Sequence, residues 1–168
     1  ETLRRYVDEV KLLLETKRKE IVEQNTQIQE GMFQAIADPR EKFVPPSIEP
    51  VPPYLNFAPL DNALDKLSRS AVRYQKAVAR FTESKRSLPR AVNPKLIQSA
   101  RMLTREGGLP NRPWFKHQIY APGFYTGYGV KTIPAVREAI EQKLWKEAED
   151  QIARVGDVLR GMAGHAES

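Results

Sequence analysis

A run of regularly spaced apolar residues in the middle of the chain constrains the fold more than any other feature. Its members lie alternately four and three residues apart: Leu60, Leu64, Leu67, Ala71, Tyr74, Val78 and Phe81. Because an α-helix turns once every 3.6 residues, this spacing keeps all of these side chains on one face. Such a seam is typical of a helix that packs at a shallow angle against other helices. The seam therefore predicts a helical domain.

Other regions also show helical periodicity. Apolar residues at helical spacing predict one long helix over residues 3–36. It ends before Asp38-Pro39, because the residue that precedes a proline avoids the helical region. Asn93 and Pro94 combine an N-cap residue with a proline at the first helical position, so a shorter helix is predicted from there to Gly107. This shorter helix is expected to bury Leu96, Ile97, Ala100 and Leu103.

The last part of the chain is also predicted to be helical. A short helix is predicted over residues 134–140. A long helix is predicted to follow, with its apolar residues between 145 and 162 and with a frayed end after Gly164. No segment has the pattern of a strand. Four substantial helices without strands place the chain in the all-α class and predict a four-helix bundle-like domain. The length of 168 residues fits a single domain, 1–168.

Two segments interrupt the helical pattern. Residues 39–59 hold seven prolines. Because proline fixes φ and lacks an N–H donor, this segment is predicted to be an extended connector that packs on the helices. Further along the chain, Pro89 is predicted to end the region of the seam helix. A proline-rich ligand for an adaptor domain is the less favoured interpretation of the connector. Residues 107–134 form a long aromatic loop, and loops of this length are often functional. Its aromatic residues are Trp114, Phe115, Tyr120, Phe124, Tyr125 and Tyr128.

Several kinds of functional site find no support in the sequence. The chain has no cysteine, which excludes disulfides, thiolate metal sites and a cysteine nucleophile. His117 and His165 lack metal-ligand spacing and no HExxH pattern occurs, so no metal ligand and no catalytic residue are assigned. His117 is interpreted as a hydrogen-bonded structural residue in preference to a catalytic one.

The sequence also bears on how the chain relates to membranes and to a longer protein. It has neither an apolar run of membrane-spanning length nor the pattern of a signal peptide. Because helical periodicity is present from the first residues without an initiator methionine, we expect the chain to be a fragment of a larger protein.

Positive charge is concentrated in one part of the chain. The net charge is +6, yet residues 66–116 contain thirteen lysines and arginines against two glutamates. A strip of this charge follows the seam helix: Lys66, Arg69, Arg73, Lys76 and Arg80. Such asymmetry favours an acidic partner, either nucleic acid or a protein surface. Nucleic acid is disfavoured, because the aromatic residues that would stack on bases lie in a separate loop.

The most specific motif in the chain is GLPNRPWFKHQIYAP, from Gly108 to Pro122. A Leu-Pro-x-Arg-Pro turn is followed by two aromatic residues, a basic residue with histidine, and Ile-Tyr-Ala-Pro. This motif resembles the transferrin-receptor-like dimerisation domain of the family of glutamate carboxypeptidase II, also called prostate-specific membrane antigen. The order of the helices and the connector is similar over nearly the whole chain.

The resemblance implies a C-terminal helical domain that forms a homodimer beside its own two-zinc peptidase domain. The zinc ligands and the catalytic glutamate would lie in that other domain, so this fragment would be neither an enzyme nor a zinc-binding unit. The parent would be a zinc-dependent carboxypeptidase or aminopeptidase, and the family implies a location outside the cytoplasm. A transferrin-receptor-like binding protein without metal is the second interpretation, and a basic nucleic-acid-binding module is the third.

The family also implies a role for the loop that follows Tyr-Ala-Pro. There this loop reaches over the active site, where a Lys-Tyr pair contacts the terminal carboxylate of a glutamate-ending substrate. Counting from Tyr120, the matching positions are Gly127 and Tyr128, so the phenol is kept and the lysine is absent. Lys131 is a candidate replacement for that cation. Tyr128 is therefore predicted to bind substrate in the parent, and a plain surface tyrosine is the equally open alternative.

The remainder of the loop is predicted to be a rigid platform. Arg112 lies between Pro110 and Pro113 and is expected to donate to several backbone carbonyls, while the aromatic residues hold the loop against the helices. His117 and Tyr120 are assigned the same structuring role.

Overall fold

The chain folds into six helices and one antiparallel hairpin within the residues that the computed structural model describes, namely 1–37, 40, 42–84, 87, 90 and 92–167. The elements are α1 (Thr2–Gln29), α2 (Met32–Ala35), α3 (Ala58–Glu83), α4 (Val92–Arg101), β1 (Tyr120–Pro122), β2 (Val130–Thr132), α5 (Pro134–Glu141) and α6 (Trp145–Glu167). The prediction of a mainly helical domain is confirmed. The prediction of no strand is wrong, because residues 120–122 pair with residues 130–132.

Four helices share one hydrophobic core. Their apolar residues recur at helical spacing, so that α1, α3, α5 and α6 each turn one face inward. α3 and α6 approach each other closely at Gly156, where a Cβ would lie 2.9 Å from the carbonyl oxygen of Pro59. The buried members on these helices are Val7, Val10, Leu14, Leu60, Ala63, Leu64, Val136, Ala139, Ile140, Ala148, Ile152, Val155 and Leu159.

The apolar seam on α3 is covered over only its first half. Leu60 and Leu64 are buried in the core, and Leu67 packs against it. Every residue from 71 to 80 is exposed, however, and Tyr74 and Val78 expose 45% and 43% of their surface. The described chain covers this second half only in part. The seam thus extends beyond the core that it helps to form.

The region predicted as one helix over residues 3–36 is divided in two. Gly31 adopts a φ of 69°, a left-handed conformation that α-helices do not continue through. α1 therefore ends at Gln29, and the short α2 follows. The predicted stop signals at Asp38-Pro39 and at Pro89 lie outside the described residues.

The third predicted helix, α4, differs from expectation at its end and in its burial. It ends at Arg101 and not at Gly107, because Thr104 leaves the helix and pairs with the backbone of His117. The expected burial is wrong for Leu96, Ile97 and Ala100, which are exposed, and only Leu103 packs on the core. The chain itself supplies nothing that covers the outer face of α4 among the described residues.

The proline-rich connector has no regular secondary structure over residues 42–57 and is fastened to α1. The side-chain amide of Asn25 donates to the carbonyl of Glu49 at 2.7 Å and accepts from its N–H at 3.0 Å. The guanidinium of Arg18 lies 3.7 Å from the centre of the Tyr54 ring, and Pro52 is buried. The connector is therefore packed at these points, although most of its other residues are exposed.

Candidate functional site: the hairpin and the open helical face

A tight turn begins the motif-bearing segment. The N–H of Arg112 donates to the carbonyl of Leu109 at 3.2 Å. Pro110 occupies the second position of this turn, and Asn111 has a φ of 59° at the third, as a type II turn requires. Gly108 precedes the turn with a φ of 63°. The Leu-Pro-x-Arg-Pro motif thus encodes a specific change of chain direction.

The turn delivers Arg112 into a buried ion pair with α5. Its Nη2 lies 2.6 Å from each carboxylate oxygen of Glu138, and the two side chains are 4% and 9% exposed. Nη1 donates to the carbonyl of Pro122, at the end of β1. The rings of Phe115 and Phe124 lie 5.4 and 5.7 Å from the guanidinium carbon. Arg112 therefore links the turn to β1 and α5. It donates to one backbone carbonyl, whereas several were expected from the sequence.

Glu138 was not identified from the sequence, although it organises this site. Besides binding Arg112, its Oε1 accepts the backbone N–H of Phe124 at 2.8 Å. The signal was a single carboxylate inside the apolar stripe of α5, where all residues from 134 to 140 except Arg137 are buried. Since a buried carboxylate needs a partner, that position pointed to a buried cation.

A second ion pair fastens the base of the hairpin. Nζ of Lys131, on β2, binds Glu141 of α5, and the lysine side chain is only 15% exposed. Its methylene groups lie beside Gly123, where a Cβ would be 3.0 Å from Lys131 Cε. The side chain that the sequence offered as a replacement cation is thus directed toward α5.

His117 and Tyr120 lie at the start of the hairpin. The Nδ1 of His117 accepts the N–H groups of Ile119 and Tyr120, each at 3.3 Å. Burial lowers the pKa of His117, so the ring is neutral at neutral pH and its Nδ1 lone pair is available to both donors. The ring centre lies 4.0 Å from that of Tyr120. These contacts order the chain just before β1.

The tip of the hairpin, residues 123–130, projects from this base. Tyr128 is fully exposed, and Tyr125 is 73% exposed. Gly127 has a φ of 60°, and a Cβ built on it would meet nothing within 4 Å. Of the loop aromatics, only Phe115 packs in a buried cluster, so the expectation that they hold the loop against the helices is wrong for the others. The ion pairs to α5 fasten the hairpin, and its aromatic groups face outward.

A second candidate site is the uncovered surface between α3, α4 and the end of α6, here called the open face. It is a groove of about 470 Å³ whose apolar lining includes Leu67, Ala71, Tyr74, Val92, Leu96 and Met162. Ile97 and Val78 extend the exposed apolar area on α4 and α3. Contiguous exposed apolar surface of this kind is typical of an interface with another protein.

The basic strip on α3 is separate from the open face. At 100° per residue, Arg69, Lys76 and Arg80 lie on the side of the helix opposite the apolar seam, and all three are exposed. Arg73 pairs with Glu167 of α6, so part of the strip is neutralised within the chain. Arg69, Lys76 and Arg80 therefore lie away from the apolar groove, whose lining also includes Lys95 and Glu167.

The described residues contain no group of three or more His, Asp or Glu side chains placed to hold a metal ion. The Nδ1 of His117 is occupied by backbone donors, and Nε2 of His165 lies 2.9 Å from the carbonyl of Lys95. The donor groups of this part of the chain therefore do not fit a zinc site. Within the same residues, no helix combines the length and apolar character needed to cross a membrane.

Known proteins are similar to this chain in sequence. The model of the transferrin receptor-like dimerisation domain matches residues 55–166, which include α3 to α6 and the hairpin. A probable glutamate carboxypeptidase from Arabidopsis thaliana is 41% identical over 78 residues, covering 42% of this chain and 12% of that protein. A probable glutamate carboxypeptidase from Arthroderma benhamiae is 28% identical over 114 residues, covering 67% and 16% respectively. The chain thus spans less than a fifth of the length of these relatives.

Proposed function

Because the chain belongs to the transferrin receptor-like dimerisation domain family, we propose that it is the C-terminal dimerisation domain of a glutamate carboxypeptidase-like zinc metallopeptidase. The names of the two relatives support a peptidase parent. In this proposal the metal and the catalytic groups belong to a peptidase domain outside this chain. The domain itself acts by assembly and by completing the substrate pocket.

The observation that carries the assembly proposal is the open face. The family match begins at residue 55 and therefore includes the helices that line this groove while excluding α1. Half of the α3 seam and the outer face of α4 have apolar residues at helical spacing without a partner in the described chain. A second copy of the same surface would cover both, as in a two-fold symmetric dimer.

Replacing Leu96 with glutamate is expected to weaken the dimer at least about 100-fold. An unpaired charge buried in an apolar interface costs several kcal/mol, and about 1.4 kcal/mol corresponds to a factor of ten in affinity. The measurement is the solution mass by light scattering over a concentration series, for residues 1–168 and for the full-length protein. The wild-type chain should approach twice 19.2 kDa.

A matched control is Val22→Glu. Val22 is 50% exposed and Leu96 is 47% exposed, but Val22 lies on α1, outside the family match. It should leave the mass unchanged. If the full-length protein were a monomer at all concentrations, or if Val22→Glu disrupted assembly as strongly as Leu96→Glu, the open face would not be the dimer interface.

We further propose that the hairpin tip forms part of the substrate pocket of the neighbouring peptidase domain. Arg112, His117 and Tyr120 make contacts at the base of the hairpin, and two ion pairs link this base to α5. Tyr128 then presents a phenol that is fully exposed in this domain alone. An ordered hairpin base with an exposed hydrogen-bond donor at its tip is suited to contact a ligand that is bound in another domain.

Substituting Tyr128 with phenylalanine in the full-length protein should raise KM about tenfold or more, because a hydrogen bond to a charged group contributes roughly 1.5–3 kcal/mol. Peptide hydrolysis kinetics and bound zinc are measured on the same preparation. Tyr54→Phe, at an exposed tyrosine of the connector, is the control. Unchanged kinetics for Tyr128→Phe would remove this residue from the pocket. A full-length protein without zinc and without activity would favour the metal-free, receptor-like alternative.

A further inference from the structure

The basic strip forms a straight row along one side of α3. Its last four cations are Arg69, Arg73, Lys76 and Arg80. Because they lie four, three and four residues apart, they fall within a sector of about 60° of the helix and along about 16 Å of its axis. No Asp or Glu occurs from residue 66 to residue 82, and every residue from 71 to 80 is exposed. The row is therefore a one-sided, accessible concentration of positive charge.

The chain neutralises little of this charge. Among the described residues, the ion pairs of α3 use Asp61, Asp65 and Arg73. The other three members of the row are exposed and have no ion pair in that part of the chain. Unpaired surface charges of one sign raise the local electrostatic potential and attract an anionic partner.

The basic strip and the open face lie on opposite sides of α3. Leu67, Ala71 and Tyr74 line the open face, and the row of cations is turned about half a revolution away from them. A second copy bound to the open face would therefore leave the strip accessible. The inference drawn from the strip does not depend on the proposed function.

The form of the strip favours a flat anionic surface over other acidic partners. A helix in the major groove of duplex DNA has a phosphate backbone on each flank, whereas these cations lie on one side only. Protein partners are usually anchored by large side chains in desolvated pockets, but the residues on either side of the row are Val72 and Ala77. Attraction to an anionic bilayer needs no such anchor, because each cation near the surface contributes separately.

We propose that the basic strip binds the headgroups of an anionic lipid bilayer, with α3 lying along the membrane surface. A straight row on one side of a helix lets all four cations approach a plane together, within the distance over which the attraction persists in salt solution. Val72, which is 47% exposed beside the row, gains from contact with the apolar boundary below the headgroups. The contact is peripheral.

The test is sedimentation of residues 1–168 with vesicles of phosphatidylcholine, either alone or with about one third phosphatidylserine. The wild-type chain should bind the vesicles with phosphatidylserine at least about tenfold more strongly. Raising the salt concentration from about 0.1 M to about 1 M should remove the difference, because the Debye length falls from about 10 Å to about 3 Å.

Two triple variants separate the strip from net charge. The strip variant combines Arg69→Gln, Lys76→Gln and Arg80→Gln, and should bind the anionic vesicles at least about tenfold more weakly. The control variant removes the same charge from exposed residues on other elements: Lys19→Gln, Lys42→Gln and Arg154→Gln. It should lose less than about threefold, because its cations lie outside the row. All six side chains are exposed, so both variants should keep the fold.

Several results would overturn the proposal. Equal binding to both kinds of vesicle would show that anionic headgroups are not recognised, and equal losses for the two triple variants would show that net charge alone is responsible. Tighter binding to duplex DNA or to a polyglutamate peptide than to the anionic vesicles, at the same ionic strength, would assign the strip to another class of partner. The strip variant should show the same loss in the full-length protein. Unchanged vesicle binding there would mean that the strip does not meet the membrane in the parent.

Discussion

Replacing Arg112 with methionine should lower the free energy of unfolding by about 3–5 kcal/mol, because a buried carboxylate is left without its cation. Arg112 and Glu138 are 4% and 9% exposed, so water cannot take the place of the guanidinium. The bond to the Pro122 carbonyl is lost as well. Urea denaturation of residues 1–168, followed by circular dichroism, measures the effect.

Two further variants separate the charge effect from general damage. Arg105→Met removes an exposed arginine from the same segment and should cost less than about 0.5 kcal/mol. The double variant Arg112→Met with Glu138→Gln should be more stable than Arg112→Met alone. It removes the uncompensated charge, and the amide oxygen of glutamine can still accept the N–H of Phe124. If the double variant were the less stable of the two, uncompensated charge would not explain the loss.

Replacing Gly108 with alanine should destabilise the fold by about 2–5 kcal/mol. Its φ of 63° is a left-handed conformation that costs an alanine roughly 1–2 kcal/mol. In addition, the new Cβ would lie 2.2 Å from the carbonyl oxygen of Pro113, so the backbone of the turn has to move. Such forced displacement typically adds about 1–3 kcal/mol. Thermal and urea unfolding of residues 1–168 measure the loss.

The adjacent glycine is the natural control. Gly107 lacks the left-handed φ, and a Cβ added to it would meet nothing within 4 Å. Gly107→Ala is therefore expected to be neutral or to stabilise the fold by up to about 1 kcal/mol, through a lower entropy of the unfolded chain. Equal losses for the two alanine variants would show that neither the left-handed conformation nor the contact with Pro113 governs this position.

The sequence predicted those features that depend on local periodicity. The spacing of Leu60, Leu64 and Leu67 located α3, and proline near the start located α5, because both signals act within a few residues. Spacing alone does not show what lies opposite a helix. The burial expected for Leu96 and Ile97 was wrong for this reason, since the described residues leave both of them exposed.

In the candidate site, too, features encoded by neighbouring residues were predicted and contacts between distant residues were missed. The motif from Gly108 to Pro122 identified the family, and Arg112 was recognised as a loop residue. Its partner Glu138 lies 26 positions later, and the pairing of Tyr120 with Thr132 spans a loop, so neither followed from neighbouring residues. The hairpin itself was missed because three-residue strands give almost no alternating pattern.

The open face on α3 and α4 has a genetic consequence if two copies meet across a two-fold axis. Each substitution is then present twice in a mutant dimer, and its energetic effect is doubled relative to one at a non-repeated contact. In a cell that makes both normal and altered chains, mixed dimers would form with intermediate affinity. An allele that damages the proposed peptidase domain while leaving Leu96 and Tyr74 intact would then place its defective subunit beside a functional one.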